Sequence, residues 1–323
     1  MANESNAAHY YPSMNTNNRN VIIGPMNAGK TLLLSVLQLA AGTGAYDSSL
    51  NEISVRPSSG EDPITRLFQS ARTALIRGEI PIDATADTVD FNFEIGLRPK
   101  RKGILGKIIA NIVGQESTQQ FSMLDGPGGT LFQSSKNTKS AEVDTAELTR
   151  YREEQLQRIR EATGIIICVD PTDNDAAMTF FLDLPRFLAD LNVRHLSAQR
   201  ISFALTKADR QYGERDVNAE RKLRQTCPAE SLTRLLGRQN LRMLRTYLPN
   251  NTEVACCWTS VFGFTTKGAP NFDRQTNGLA VRANDEAISA VEALDEWRPH
   301  QVLEPFLYLS GGQKINMIPV PLN

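Results

Sequence analysis

Eight consecutive residues, Gly24-Pro25-Met26-Asn27-Ala28-Gly29-Lys30-Thr31, satisfy the pattern G-x-x-x-x-G-K-[ST]. Glycines at both ends let the backbone wrap a polyphosphate, with several N–H groups and a helix N-terminus facing the anion. Lys30 then bridges the terminal phosphates and Thr31 offers a hydroxyl to Mg²⁺. Asp125-Gly126-Pro127-Gly128 forms a D-x-x-G: its Asp suits Mg²⁺ held through water, and its last glycine amide suits a γ-phosphate. Thr206-Lys207-Ala208-Asp209 is a [NT]-K-x-D. A carboxylate at Asp209 accepts from the ring N1–H and exocyclic amino group of guanine, a donor pair that adenine lacks, while the Lys207 stem lies over the base. Thr259-Ser260-Val261 follows the apolar run EVACCW, where a backbone amide can meet the guanine carbonyl.

Each motif needs a strand to aim it. NVIIG (20–24) precedes the first, QFSML (120–124) the second, RISFALT (200–206) runs into the third, and EVACCWTS (253–260) runs into the fourth. Helical patterns fall between the strands, over about 29–41, 141–162 and 174–193, and GIIICVD (164–170) supplies a further buried strand. Strand–helix alternation predicts α/β architecture, a doubly wound and mainly parallel sheet covered on both faces. Ligands of such sheets sit at the C-terminal ends of the strands, where all four motifs fall. VDFNFEIGL (89–97) alternates, with Val89, Phe91, Phe93 and Ile95 on one side and Asp90, Asn92 and Glu94 on the other, and is expected as an edge strand.

The joint pattern resembles the G motifs of P-loop GTPases of the Ras-like and Era-like class, related to translation factors, over about residues 20–265 plus a closing C-terminal helix. The resemblance implies a P-loop G domain that binds GTP and GDP with Mg²⁺ and hydrolyses GTP to GDP and phosphate as a molecular switch. It places Gly24, Asn27, Ala28, Gly29, Lys30, Thr31, Thr206, Lys207, Asp209, Ser260 and Val261 around the nucleotide. It places Thr31, Asp125 and a switch I threonine on the metal, and Lys30, Asn27, Thr85 and Gly128 at the reacting phosphate. Thr85 and Thr88 both suit switch I, with Thr85 preferred because it leaves a few residues of loop before Val89. Two positions depart from the Ras-like pattern or select within it. The residue after D-x-x-G is Gly129, where Ras-like members carry a water-orienting Gln, so slow intrinsic hydrolysis is expected; Gln133 is a poor substitute. Asn27 stands where Era-like, potassium-dependent members carry an Asn that helps ligate K⁺, and its other reading is a residue that tolerates a turn. The alternatives to a turnover enzyme are a GTP-binding scaffold and, if T-K-A-D were accidental, a P-loop ATPase or kinase.

The domain is expected over 20–309, after a disordered polar tail at 1–19, with helical insertions at about 45–84, 98–119 and 210–248 and an extension at 310–323. The insertions exceed those of small GTPases and are similar to bacterial double-GTPase proteins of conflict systems. The first contains PITRLFQSARTALIRG, with Ile64, Leu67, Phe68, Ala71 and Leu75 on one helical face. The second, over 98–114, sets Arg98, Lys100, Arg101, Lys102 and Lys107 beside an apolar stripe, a pattern that suits a peripheral membrane surface, a protein effector or activator, or the protein's own surface. The third carries nine basic and four acidic residues, read mainly as a solvated helical face. EAISAVEALDEWRPHQVLEPFLYL reads as a helix interrupted at Pro299 or Pro305. In the whole chain of 323 residues, 35 basic and 36 acidic side chains give a net charge of −1, so no global field draws it to nucleic acid. Four cysteines without metal or redox spacing, and no apolar run long enough to span a bilayer, lead to the expectation of a cytoplasmic protein.

Overall fold

The computed structural model describes residues 19–42, 51–58, 63–77, 89–99, 117–125, 153, 156–190, 196–273, 278–280, 297–310 and 316–322. Seven of its strands are β1 (Arg19–Ile23), β2 (Asn51–Pro57), β3 (Val89–Pro99), β4 (Ser117–Asp125), β5 (Gly164–Val169), β6 (Arg200–Leu205) and β7 (Glu253–Trp258). With β10 (Ile318–Pro319) they form one eight-stranded sheet in the order β10-β7-β6-β5-β1-β4-β3-β2. The pairs β7–β6, β6–β5, β5–β1 and β1–β4 are parallel, and β4–β3, β3–β2 and β7–β10 are antiparallel. A two-stranded ribbon, β8 (Phe272–Asp273) with β9 (Gly278–Leu279), stands apart from the sheet.

Alternate residues of the central strands feed two cores. Val21, Ile23, Ile165, Ile167 and Val169 face helical residues 156–161, α4 (Asn174–Asp190) and α6 (Pro228–Thr246). Ile22, Ile166 and Cys168 face α1 (Lys30–Ser35), α2 (Leu37–Gly42), α3 (Pro63–Arg77) and α7 (Glu304–Leu309). All six residues of β5 are buried, so its composition shows no alternation: both of its faces are dry. The fold is therefore α/β, with a mostly parallel sheet wound on both sides. Phe306 of α7 meets Phe93 and Phe121 edge-on at 6.2 and 6.3 Å, while those two rings stack at 5.2 Å. A short α5 (Ala219–Gln225) precedes α6.

Four expectations change on the structure. The alternating strand β3 lies between β4 and β2, and β2 holds the edge. Its alternation reports that Phe91, Phe93 and Ile95 are buried on one face while Asp90, Asn92 and Glu94 are half-buried on the other, which says nothing of lateral position. The first insertion is not purely helical, because β2 sits within it, pairing Ile53 with Leu97 and Val55 with Ile95. The expected single helix after the first motif is two, joined at Val36, near where the Ser35 hydroxyl donates to the Leu32 carbonyl and competes with the helical ladder. The loop expected from 98 is shorter at both ends, since β3 runs to Pro99 and β4 starts at Ser117. Thr85, Thr88, Gly126, Gly128, Gly129, Gln133 and the basic stretch from 100 to 114 lie outside the described residues. Among those described, no helix is long and apolar enough to cross a membrane.

Candidate functional site

The loop from β1 to α1 is shaped by three backbone conformations. Gly24 has φ 154°, and a Cβ there would lie 2.4 Å from the carbonyl oxygen of Cys168 on β5, so no side chain fits. Asn27 is left-handed at φ 61°, and Gly29, at φ 81°, is the residue from which α1 springs. Asn is among the few side chains that tolerate this region, so the turn reading alone accounts for Asn27. The Ala28 N–H donates to the Pro25 carbonyl at 3.3 Å. Lys30 is buried, and its Nζ donates to the carbonyls of Gly24 at 3.2 Å and Pro25 at 2.9 Å, which keeps a positive charge inside the loop. Thr31 follows on the first turn of α1, half-buried. Asp125 ends β4 beside β1, with Leu124 paired to Val21, so the chain of Asp125 reaches the same sheet edge.

The second half of the site is built on β5, β6 and β7. Thr206 joins the halves: its hydroxyl lies 2.8 Å from the carbonyl of Ala28 and 3.2 Å from that of Val169. Lys207 is left-handed at φ 53°, and its Nζ pairs with Asp170 at 2.7 Å. Asp170 is itself held by the backbone N–H and hydroxyl of Thr172, at 2.9 and 2.6 Å. The stem of Lys207 is thus fixed at both ends. Asp209 lies in a short 3₁₀ turn (Ala208–Gln211) and is 1% exposed. Its Oδ1 accepts a hydrogen bond from the Ser260 hydroxyl, while its Oδ2 is buried with no partner among the described residues. Because the Gly263 N–H donates to Ser260 Oγ at 2.7 Å, the single hydroxyl proton of Ser260 is left for Asp209. Burial pushes the Asp209 carboxyl above its usual range, and the Ser260 hydrogen bond opposes the rise. Gly29, Leu32, Lys207, Asp209, Val261 and Phe262 line one pocket, so the two halves share a space.

A strap from the far end of the chain backs the Ser260 loop. Ser260 and His300 exchange backbone hydrogen bonds at 2.9 and 2.8 Å, and the fully buried Trp297 donates from Nε1 to the Val261 carbonyl at 2.8 Å. Gly263, at φ 68°, lets Arg298 approach so closely that a Cβ would fall 1.7 Å from the Arg298 carbonyl oxygen. The N–H of Ser260 is therefore spent on His300, and Ser260 faces Asp209 through its hydroxyl. In Thr259-Ser260-Val261 the Thr259 N–H is likewise spent, on the Leu205 carbonyl at 2.7 Å, which leaves the amide of Val261 for a guanine carbonyl. Sequence reasoning missed Asp170, Trp297 and His300. Asp170 carried a faint signal, as the polar end of an apolar strand, whereas nothing local in WRPH ties it to a loop some 40 residues earlier.

Among the described residues no three His, Cys, Asp or Glu side chains gather as a metal cage. No protein-family model matches the chain. No curated protein matches it either. Solved structures similar to it include sup35 complexed with GDP, at 12% identity and TM-score 0.30, over 86% of this chain and 44% of that one. Another is an ADP-ribosylation-factor-like GTP-binding protein, small COPII coat GTPase SAR1, from Encephalitozoon cuniculi, in complex with GDP, at 12% identity and TM-score 0.28, over 91% of this chain and 80% of that one. The chain thus spans less than half the length of the sup35 chain.

Proposed function

We propose that this chain is a guanine-nucleotide-binding switch that hydrolyses GTP to GDP and phosphate. The observation that carries the reading is Asp209 Oδ2, an acceptor buried without a partner among the described residues, in a pocket shared with Gly29 of the glycine loop. A buried acceptor left without a donor is costly, and a ligand bearing N–H donors relieves that cost. Guanine presents such donors at N1 and its exocyclic amine. Ser260 orients the carboxylate, Lys207 covers a base face with a stem anchored on Asp170, and the Val261 amide is left for the guanine carbonyl.

At the other end, the Gly24–Gly29 loop wraps the phosphates and Lys30 supplies the charge within it. The donor set offered by the Thr31 hydroxyl and the Asp125 carboxylate is all oxygen, which fits a hard cation such as Mg²⁺. When bound, Mg²⁺ would neutralise charge developing on the β- and γ-phosphate oxygens. Thr85 is proposed as its switch I ligand and Gly128 as the amide at the γ-phosphate. Gly129 has no side chain to orient water, so turnover is slow without a partner protein or a K⁺ ion near Asn27. The domain limits proposed for this activity are 20–309.

Asp209→Asn tests the reading directly. The amide replaces an acceptor by a donor, so GTP affinity should fall about 100-fold or more while xanthosine triphosphate affinity rises. Titration of GTP, xanthosine triphosphate and ATP against wild type and variant reads this out. Unchanged GTP binding in the variant, or ATP binding as tightly as GTP to wild type, overturns guanine recognition.

A further inference from the structure

We propose that the outer face of α6 is a docking surface for an acidic segment of a partner protein. From Ser231 to Thr252 the chain holds four arginines, Arg234, Arg238, Arg242 and Arg245, and no Asp or Glu. Arg245 folds onto the carbonyls of Pro249 and Asn250. The other three are exposed and make no ion pair among the described residues. The neighbouring α5 is managed differently: Lys222 pairs with Asp216, and Arg224 pairs with Glu220. On α6, Glu230 stands four residues before Arg234, whereas Arg238 and Arg242, beyond the break at Gly237, have no acid three or four residues away.

Arg234 and Arg238 also border a groove of about 610 Å³ whose other walls include Ala229, Leu241 and Pro321. Glu230 stands at its rim, exposed, one carboxylate against two guanidiniums. Gly237 breaks the helix here, at φ 77°, and nothing lies within 4 Å of where its Cβ would project, so the space beside the break is open. Guanidinium groups bind carboxylates in paired hydrogen bonds, and Arg is enriched where proteins meet. Apolar walls between the cations suit a peptide that alternates acidic and aliphatic side chains. A nucleic acid fits less well, because no exposed aromatic side chain among the described residues offers a base a stacking platform, and the net charge of −1 supplies no long-range attraction. The surface lies on the crossover that begins after Asp209 and returns through β7 to Thr259–Val261, outside the nucleotide pocket itself.

The test uses the full chain and three fluorescent probes: a twelve-residue peptide alternating Glu and Leu, the same peptide with Gln for Glu, and a single-stranded oligouridine. The Glu peptide should bind, more weakly as salt rises. Binding should fall at least tenfold in the triple variant Arg234→Gln/Arg238→Gln/Arg242→Gln and further in the triple Glu variant. Melting temperature and GTP affinity should match wild type in both, which keeps this result separate from the nucleotide reading. No binding of the Glu peptide, equal binding of the Gln peptide, or retention in the triple variants overturns the proposal. Oligouridine binding that is tighter than the peptide's and lost in the same variants overturns it in favour of nucleic acid.

Discussion

At the scale of single residues, two side chains carry distinct physical tasks. Asp209 is a buried acceptor, held by one hydroxyl and without a partner on its other oxygen among the described residues. Asn27 holds a left-handed turn, and its amide is separately proposed to ligate K⁺ beside the phosphates. Glycine occupies φ 61° without strain, so Asn27→Gly removes the amide and keeps the turn, whereas Asn27→Ser removes the amide and adds strain. Phosphate-release assays in K⁺ and in Na⁺ should show faster turnover in K⁺ for wild type and most of that difference gone in both variants. GDP affinity should stay near wild type in Asn27→Gly. Equal wild-type rates in the two salts would leave the turn as the whole role of Asn27 and pass activation to a partner protein.

At the scale of elements, the strap is the unexpected part. Residues 297–300 fix the base-facing loop through paired Ser260–His300 bonds and the Trp297 indole. Trp297→Phe keeps an aromatic body but removes the donor to Val261, leaving a buried carbonyl short of its partner. Stability should drop by about 1–3 kcal/mol. Because the Val261 amide is proposed to meet the guanine carbonyl, which adenine lacks, GTP and GDP affinities should fall together and the selectivity for GTP over ATP should narrow. Paired denaturation and nucleotide titrations check this; a stability loss with wild-type affinity would make the strap purely structural.

At the scale of the whole molecule, half-buried His300 and buried Glu304, at the two ends of the turn from 300 to 304, oppose one another. Burial pushes the Glu304 carboxyl up to about 7 and holds the His300 imidazole down to about 4. For Glu304 the folded state binds the proton more tightly than the unfolded chain, so its stability contribution is full below about 4.5 and is lost as pH rises towards 7. For His300 the unfolded chain binds the proton more tightly, so its contribution is full above about 6.5 and is lost as pH falls towards 4. Each amounts to about 3 kcal/mol, and their windows overlap. Glu304→Gln should therefore gain stability over wild type as pH rises from 4.5 to 7, and His300→Gln should gain over wild type as pH falls from 6.5 to 4. Chemical denaturation across that range measures both differences; parallel curves for variants and wild type would contradict the linkage.

The amino-acid order by itself determined the local parts of this protein. The loop at Gly24–Thr31, the run GIIICVD as a doubly buried strand and the turn at Thr206–Asp209 are contiguous, and short-range sterics and hydropathy decide them. Alternation in β3 told which of its residues are buried, because side-chain period is a local property. It could not tell which strand lies beside β3, because lateral order is set by packing among distant segments, and β2 took the edge with only Ile53 and Val55 as apolar signals. The same holds for the site. Its residue types were legible one motif at a time, yet only the folded chain brought Thr206 onto Ala28, Lys207 onto Asp170 and Trp297 onto Val261. Those contacts join residues 36 or more positions apart, and their partners are chosen by the sheet and its two cores rather than by neighbours in the chain.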